Sequence, residues 1–170
     1  MPRVRTFIVE DSPIILDSLV AMLEELASVQ VVGSAADEAS ANHRLEDLAD
    51  KVDLVIIDIF LKSGSGMGVL RDAERVGLHA RRVVLTNYAS PDMRQRCTLL
   101  GAHRVFDKSC ELDELVSYCA GLAEARPYQG RDRVAVAVAT TGAHRASVVA
   151  RQTRRRHLAV TLRGSAARLA

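Results

Sequence analysis

The run Asp53-Leu54-Val55-Ile56-Ile57, closed by Asp58, is the segment that most constrains what this chain can fold into. Its apolar residues do not alternate with polar ones, so the strand they form needs cover on both faces, as a central parallel strand has. Around it the sequence repeats one pattern, a short β-prone run followed by a helical segment. The runs are Arg5 to Val9, Val29 to Gly33, Asp53 to Ile57, Arg82 to Thr86 and Arg104 to Phe106. After the first, Ser12 and Pro13 suit a helix cap and first turn, and Ile15, Leu19, Met22 and Leu26 recur at helical spacing. A second helix is predicted from Asp37 to about Asp50, and a third opens in the Ser63–Gly68 segment and reaches about Gly77. A fourth runs from Ser90-Pro91 to Leu100. The fifth begins at Ser109, has Glu111, Asp113 and Glu114 in its first turn, and turns Leu112, Leu115, Val116, Cys119 and Leu122 inward. Strands and helices alternating in this way predict an α/β fold, a five-stranded parallel sheet doubly wound with helices on both faces.

A chain of 170 residues supports one good core with a short appendage. Charge marks where the appendage starts. From Arg126 onward there are ten Arg and a single acid, Asp132, a balance of +9, which leaves −7 for residues 1–125 out of the total of +2. The expected division is a folded domain over 1–125 and a basic, weakly ordered extension over 126–170. Arg154-Arg155-Arg156 makes nonspecific contact with nucleic acid or an acidic surface an alternative for the extension, although no aromatics interleave for base stacking. A dimer or membrane-surface element is a further alternative. Cys97, Cys110 and Cys119 have neither even number nor C-x-x-C spacing, which argues against a disulfide framework and a zinc site. His43, His79, His103, His144 and His157 lack the pairing of a metal site. No apolar run is long enough to span a membrane and no secretory leader is evident, so a cytoplasmic location is expected.

In doubly wound sheets ligands gather at the C-terminal ends of the strands. That rule brings together Glu10 and Asp11 after the first strand, Asp58 after the third, Thr86 after the fourth and Lys108 after the fifth. Crowded carboxylates repel by about 4 kcal/mol per pair at about 4 Å and an effective dielectric near 20. A hard divalent ion such as Mg2+ relieves that repulsion and also binds phosphate oxygens. Asp58 could then attack phosphorus in line as a carboxylate nucleophile, with the Lys108 ammonium and the Thr86 hydroxyl on the phosphoryl oxygens.

The segments FIVEDSP, VIIDIFLKSGSG, VVLTN and GAHRVFDKS, in that order and each at a predicted strand end, resemble the receiver domains of two-component response regulators over about residues 4–124. The resemblance implies a flavodoxin-like (βα)5 fold of the CheY-like kind and a single-domain response regulator. It implies Asp58 as phosphoacceptor, Asp11 as a direct Mg2+ ligand, Glu10 acting through metal-bound water and Phe60 giving a backbone carbonyl, with Thr86 and Lys108 reading the phosphoryl group. The implied partners are a histidine kinase or phosphotransfer protein and a downstream protein at the face of the fourth helix, fifth strand and fifth helix, including Arg94, Arg96, His103 and Arg104. Catalysis would be confined to phosphotransfer onto Asp58 and its own dephosphorylation.

Three positions depart from the commonest pattern: Glu10 replaces Asp, Ser109 replaces Pro after Lys108, and Val105 replaces an aromatic switch residue. The peptide after Lys108 is expected trans. Phe60 and Tyr88, each two residues past a site residue, are expected to shield the phosphoryl group from water and slow its hydrolysis. Gly64, Gly66 and Gly68 lack the context of a nucleotide loop and read as a flexible turn beside the metal. A haloacid-dehalogenase-like phosphatase needs a second Asp where Phe60 stands. A binding module indifferent to phosphorylation is the remaining alternative.

Overall fold

The computed structural model describes residues 3–48 and 50–125. The expectations for the extension over 126–170 therefore lie outside the described residues. Five strands, β1 (Val4–Val9), β2 (Val29–Ala35), β3 (Leu54–Ile57), β4 (Arg81–Thr86) and β5 (Arg104–Asp107), form one all-parallel sheet in the order β2-β1-β3-β4-β5. Between and after them come α1 (Pro13–Leu26), α2 (Glu38–Asp47), α3 (Gly66–Arg75), α4 (Pro91–Leu99) and α5 (Leu112–Glu124). This is the predicted doubly wound α/β fold, with β3 in the middle and all four of its residues buried.

Alternation along the strands feeds two cores. Val4 and Ile8 of β1 with Leu54 and Ile56 of β3 pack on Leu19 and Leu23 of α1 and Leu115 and Cys119 of α5. Phe7, Val9, Val55 and Ile57 point the other way, onto Ala41 and Leu45 of α2, Val69, Leu70 and Ala73 of α3, and Cys97 of α4. Burying the four aliphatic side chains of β3 alone is worth about 1.5–3 kcal/mol each. The continuous apolar run in the sequence is thus the trace of a strand that serves both layers.

Several local expectations are corrected. Ser12 makes no side-chain cap bond at the start of α1; its N–H is taken by Glu10 Oε1 at 3.0 Å. The buried residues of α1 are Leu19 and Leu23, while Ile15 and Leu26, in the first and last turns, are exposed. The fifth helix begins at Leu112 instead of Ser109. The cause is Asp107, whose Oδ1 accepts both the backbone N–H, at 2.8 Å, and the hydroxyl of Ser109, committing these residues to a turn. All peptide bonds among the described residues are trans, including the one after Lys108.

The three cysteines are unpaired, Cys97 and Cys119 buried and Cys110 exposed, and burial pushes the Cys119 thiol up to about 12. No helix among the described residues is long and apolar enough to cross a membrane.

Candidate functional site: an acidic cup at the strand ends

Strand pairing continues one residue past three of the strands, and this sets the site. The N–H of Glu10 bonds Ala35 O at 3.0 Å, that of Asp58 bonds Val9 O at 2.9 Å, and that of Lys108 bonds Thr86 O at 2.9 Å. Each polar residue is therefore still held in ladder register when its side chain leaves the core. Lys108 Nζ donates at 2.7 Å to Glu10 Oε2 and at 2.7 Å to Asp58 Oδ2. Asp58 Oδ1 accepts from the N–H of Phe60 at 3.2 Å. Oxygens of Glu10, Asp11 and Asp58 all lie within 4.8 Å of one another.

Glu10 and Asp58 are only 3% and 7% exposed, so their repulsion is poorly screened by water. Burial alone would push the Lys108 ammonium down, but the hydrogen bonds and negative charges of Asp58 and Glu10 outweigh it and its pKa stands above the ordinary lysine value. One buried ammonium against three carboxylates still leaves an excess of two negative charges. Lys62, which pairs with Asp11 at 3.5 Å, is highly exposed and adds little. A set of hard oxygen donors with excess negative charge fits a small, hard divalent cation.

The structure thus brings Glu10, Asp11, Asp58 and Lys108 together. Thr86 is fully buried at the end of β4, and its Oγ1 accepts the N–H of Tyr88 at 3.4 Å. Phe60 and Tyr88 are 53% and 70% exposed, and their rings meet edge to face with centroids 5.7 Å apart.

Sequence reasoning missed three groups. Lys62 donates its N–H to Asp11 Oδ2 at 3.2 Å. The Asp107–Ser109 turn presents Lys108, and the hydrogen bonds from the Ser109 hydroxyl and N–H hold the Asp107 carboxyl below its usual range; the Asp-Lys-Ser triplet was a readable signal for such a turn. Glu38, at the start of α2, accepts the N–H of Ser65 at 2.8 Å, and no local pattern announced that contact.

Arg94, one of the residues expected to face partners, keeps over a third of its side chain exposed and is also bonded within the domain. It donates to Ala89 O at 2.9 Å, Val105 O at 2.5 Å and Glu111 Oε2 at 2.8 Å. That bond, together with the N–H of Asp107, holds the Glu111 carboxyl below its ordinary value. His103 Nδ1 is likewise occupied, accepting the N–H of Arg82 at 3.1 Å.

Solved structures share this arrangement of elements, and curated proteins share its sequence in part. The signal receiver domain of the response regulator NarL from Mycobacterium tuberculosis aligns with a TM-score of 0.65 at 23% identity, covering 74% of this chain and 100% of that one. The response regulator domain of Thermotoga maritima CheB aligns with a TM-score of 0.63 at 18% identity, covering 74% and 99%. Among curated proteins, the transcriptional regulatory protein YvfU of Bacillus subtilis is 30% identical over 112 residues, 66% of this chain and 55% of YvfU. The DNA-binding transcriptional activator DevR/DosR of Mycobacterium tuberculosis is 30% identical over 99 residues, 58% of this chain and 45% of the activator. This chain therefore spans about half the length of these two curated relatives. Residues 6–120, from within β1 to within α5, match the response regulator receiver domain, and the chain belongs to that family of two-component signalling domains.

Proposed function

We propose that this chain is the phosphoacceptor of a two-component relay and that Asp58 carries the phosphoryl group. The observation behind this reading is Lys108 Nζ at 2.7 Å from both Asp58 and Glu10, residues 50 and 98 positions away in the chain. A fixed cation beside a carboxylate nucleophile is what phosphoryl transfer needs, because charge accumulates on the equatorial oxygens as the group passes.

The donor would be a phosphohistidine of a histidine kinase or phosphotransfer protein. An oxygen of Asp58 forms a bond to phosphorus as the nitrogen–phosphorus bond breaks, and the imidazole leaves with the electron pair of that bond. Glu10, Asp11 and Asp58 with the Phe60 carbonyl would hold Mg2+, which when bound supplies positive charge against the phosphoryl oxygens. Lys108 moves from the Asp58 carboxylate onto a phosphoryl oxygen, keeping its bond to Glu10.

Thr86 offers the route outward. Its hydroxyl holds the N–H of Tyr88, so turning to the phosphoryl group frees the loop that carries Ala89. The carbonyl of Ala89 is one of the three internal partners of Arg94, which also grips β5 and Glu111. A chain with Val105 at the usual aromatic position can thus still pass the change to the α4–β5–α5 face, where a downstream protein would bind.

The test is labelling of the full chain by acetyl phosphate with Mg2+, followed by intact mass. Wild type should gain one phosphoryl group, and Asp58→Ala or excess chelator should abolish the gain. Equal labelling of Asp58→Ala would sink the assignment.

A further inference from the structure

The segment Ser63–Gly68 reads in the sequence as a loose glycine turn, but each glycine faces an obstacle. A Cβ on Gly66 would stand 2.0 Å from the backbone oxygen of Asp58. One on Gly64, whose φ of +78° already disfavours a side chain, would stand 2.4 Å from Glu38 Cβ. One on Gly68 would stand 1.9 Å from Glu38 Oε1, with the other carboxylate atoms the next nearest. Gly64 and Gly68 therefore form a socket, and the Glu38 side chain fills it.

Glu38 is joined to the loop by backbone as well: its N–H bonds Ser63 O at 3.3 Å, and its Oε2 accepts the Ser65 N–H at 2.8 Å. The carboxylate thus lies at the N-terminus of α3, where the helix macrodipole favours negative charge. The same loop is tied to the cup at its other end. Lys62 N–H reaches Asp11 Oδ2 at 3.2 Å, Phe60 N–H reaches Asp58 Oδ1 at 3.2 Å, and Gly66 N–H closes onto Ile59 O at 3.0 Å. Residues 59–66 are consequently anchored to the acidic cup on one side and to Glu38 on the other.

We infer that Glu38 is a positioning residue for the phosphorylation site: its carboxylate, seated between Gly64 and Gly68, fixes the loop bearing the Phe60 carbonyl and so sets the affinity for a divalent cation. The inference rests on the phosphoacceptor reading above, and it acts through the loop without Glu38 touching the cation.

Two variants remove the carboxylate by different routes. Glu38→Ala deletes it. Gly68→Ala evicts it, because the new Cβ occupies its place, while alanine is the better helix former, so α3 itself is not weakened. The measurement is calorimetric Mg2+ titration of the unphosphorylated full chain, with thermal unfolding alongside. Both variants should raise the Mg2+ dissociation constant by about tenfold, the lower end of what losing a supporting contact costs a metal site. Glu38→Gln, which keeps an acceptor for the Ser65 N–H, should recover most of the affinity. Saturating Mg2+ should restore wild-type labelling by acetyl phosphate.

Wild-type Mg2+ affinity in Glu38→Ala would overturn the inference. So would a loss of affinity in Gly68→Ala that comes with loss of the folded far-ultraviolet spectrum at the titration temperature, since that assigns Glu38 to folding alone; a modest fall in melting temperature is expected from the lost Ser65 bond. A wild type that binds Mg2+ but takes no label on Asp58 would instead defeat the phosphoacceptor reading, so the two failures are distinguishable.

Discussion

Phe60 and Tyr88 are large apolar side chains left mostly in water at the mouth of a charged cup, touching only edge to face. Exposure alone does not single them out, since Ile14 and Leu99 are more exposed; their mutual contact and their place in the sequence do. We propose that, two residues past Asp58 and Thr86, they cover the approach of water to a phosphoryl group on Asp58. Replacing both, Phe60→Asn with Tyr88→Glu, should shorten the phosphoryl half-life by about tenfold, equivalent to about 1.4 kcal/mol of barrier. The decay of label after removal of the donor measures this, and an unchanged half-life would refute the shielding role. Glu10, Asp11, Asp58 and Lys108 were legible from the sequence because each follows an apolar run directly or within two residues, so strand register alone carries it to the cup. Glu38 was not, because its partner loop lies 27 positions further on and the contact depends on the absence of two side chains.

At the scale of elements, Arg94 joins the start of α4 to the loop after β4, to β5 and to the residue that precedes α5. β5 is an edge strand, paired on one side only, so a side chain bonded to its backbone matters more there than it would on the equally short but central β3. Arg94→Ala leaves the Val105 carbonyl and the Glu111 carboxylate without that partner, and should cost about 1–2 kcal/mol in denaturant unfolding. If the link also transmits the switch, partner capture by the variant should become independent of acetyl phosphate while labelling of Asp58 persists. Retained phosphate-dependent capture would rule that coupling out. The sequence showed strand and helix order well, since periodicity is local. It did not show the internal bonds of Arg94, because an arginine in a polar helix looks solvated until the three acceptors, two of them backbone carbonyls, are brought to it. The start of α5 was misjudged for a related reason: Ser109 resembles a cap, yet Asp107 claims its donors first.

Across the described domain, the central strands β1, β3 and β4 each face both cores, with β3 in the middle. Ile56 faces the α1 and α5 layer and Ile57 the α2, α3 and α4 layer, and both are essentially fully buried. Truncating either to Ala should cost about 2–5 kcal/mol. Since β3 belongs to both layers, each variant should shift one common transition, seen alike by far-ultraviolet dichroism and by Mg2+ binding. Two separate transitions would mean the layers melt independently. Lys108 leaves the ladder after the last strand, and the carboxylates it meets leave it after the first and third. If Asp58 is the phosphoacceptor, a ribosome must therefore deliver the chain at least as far as Lys108 before the cup holds its cation.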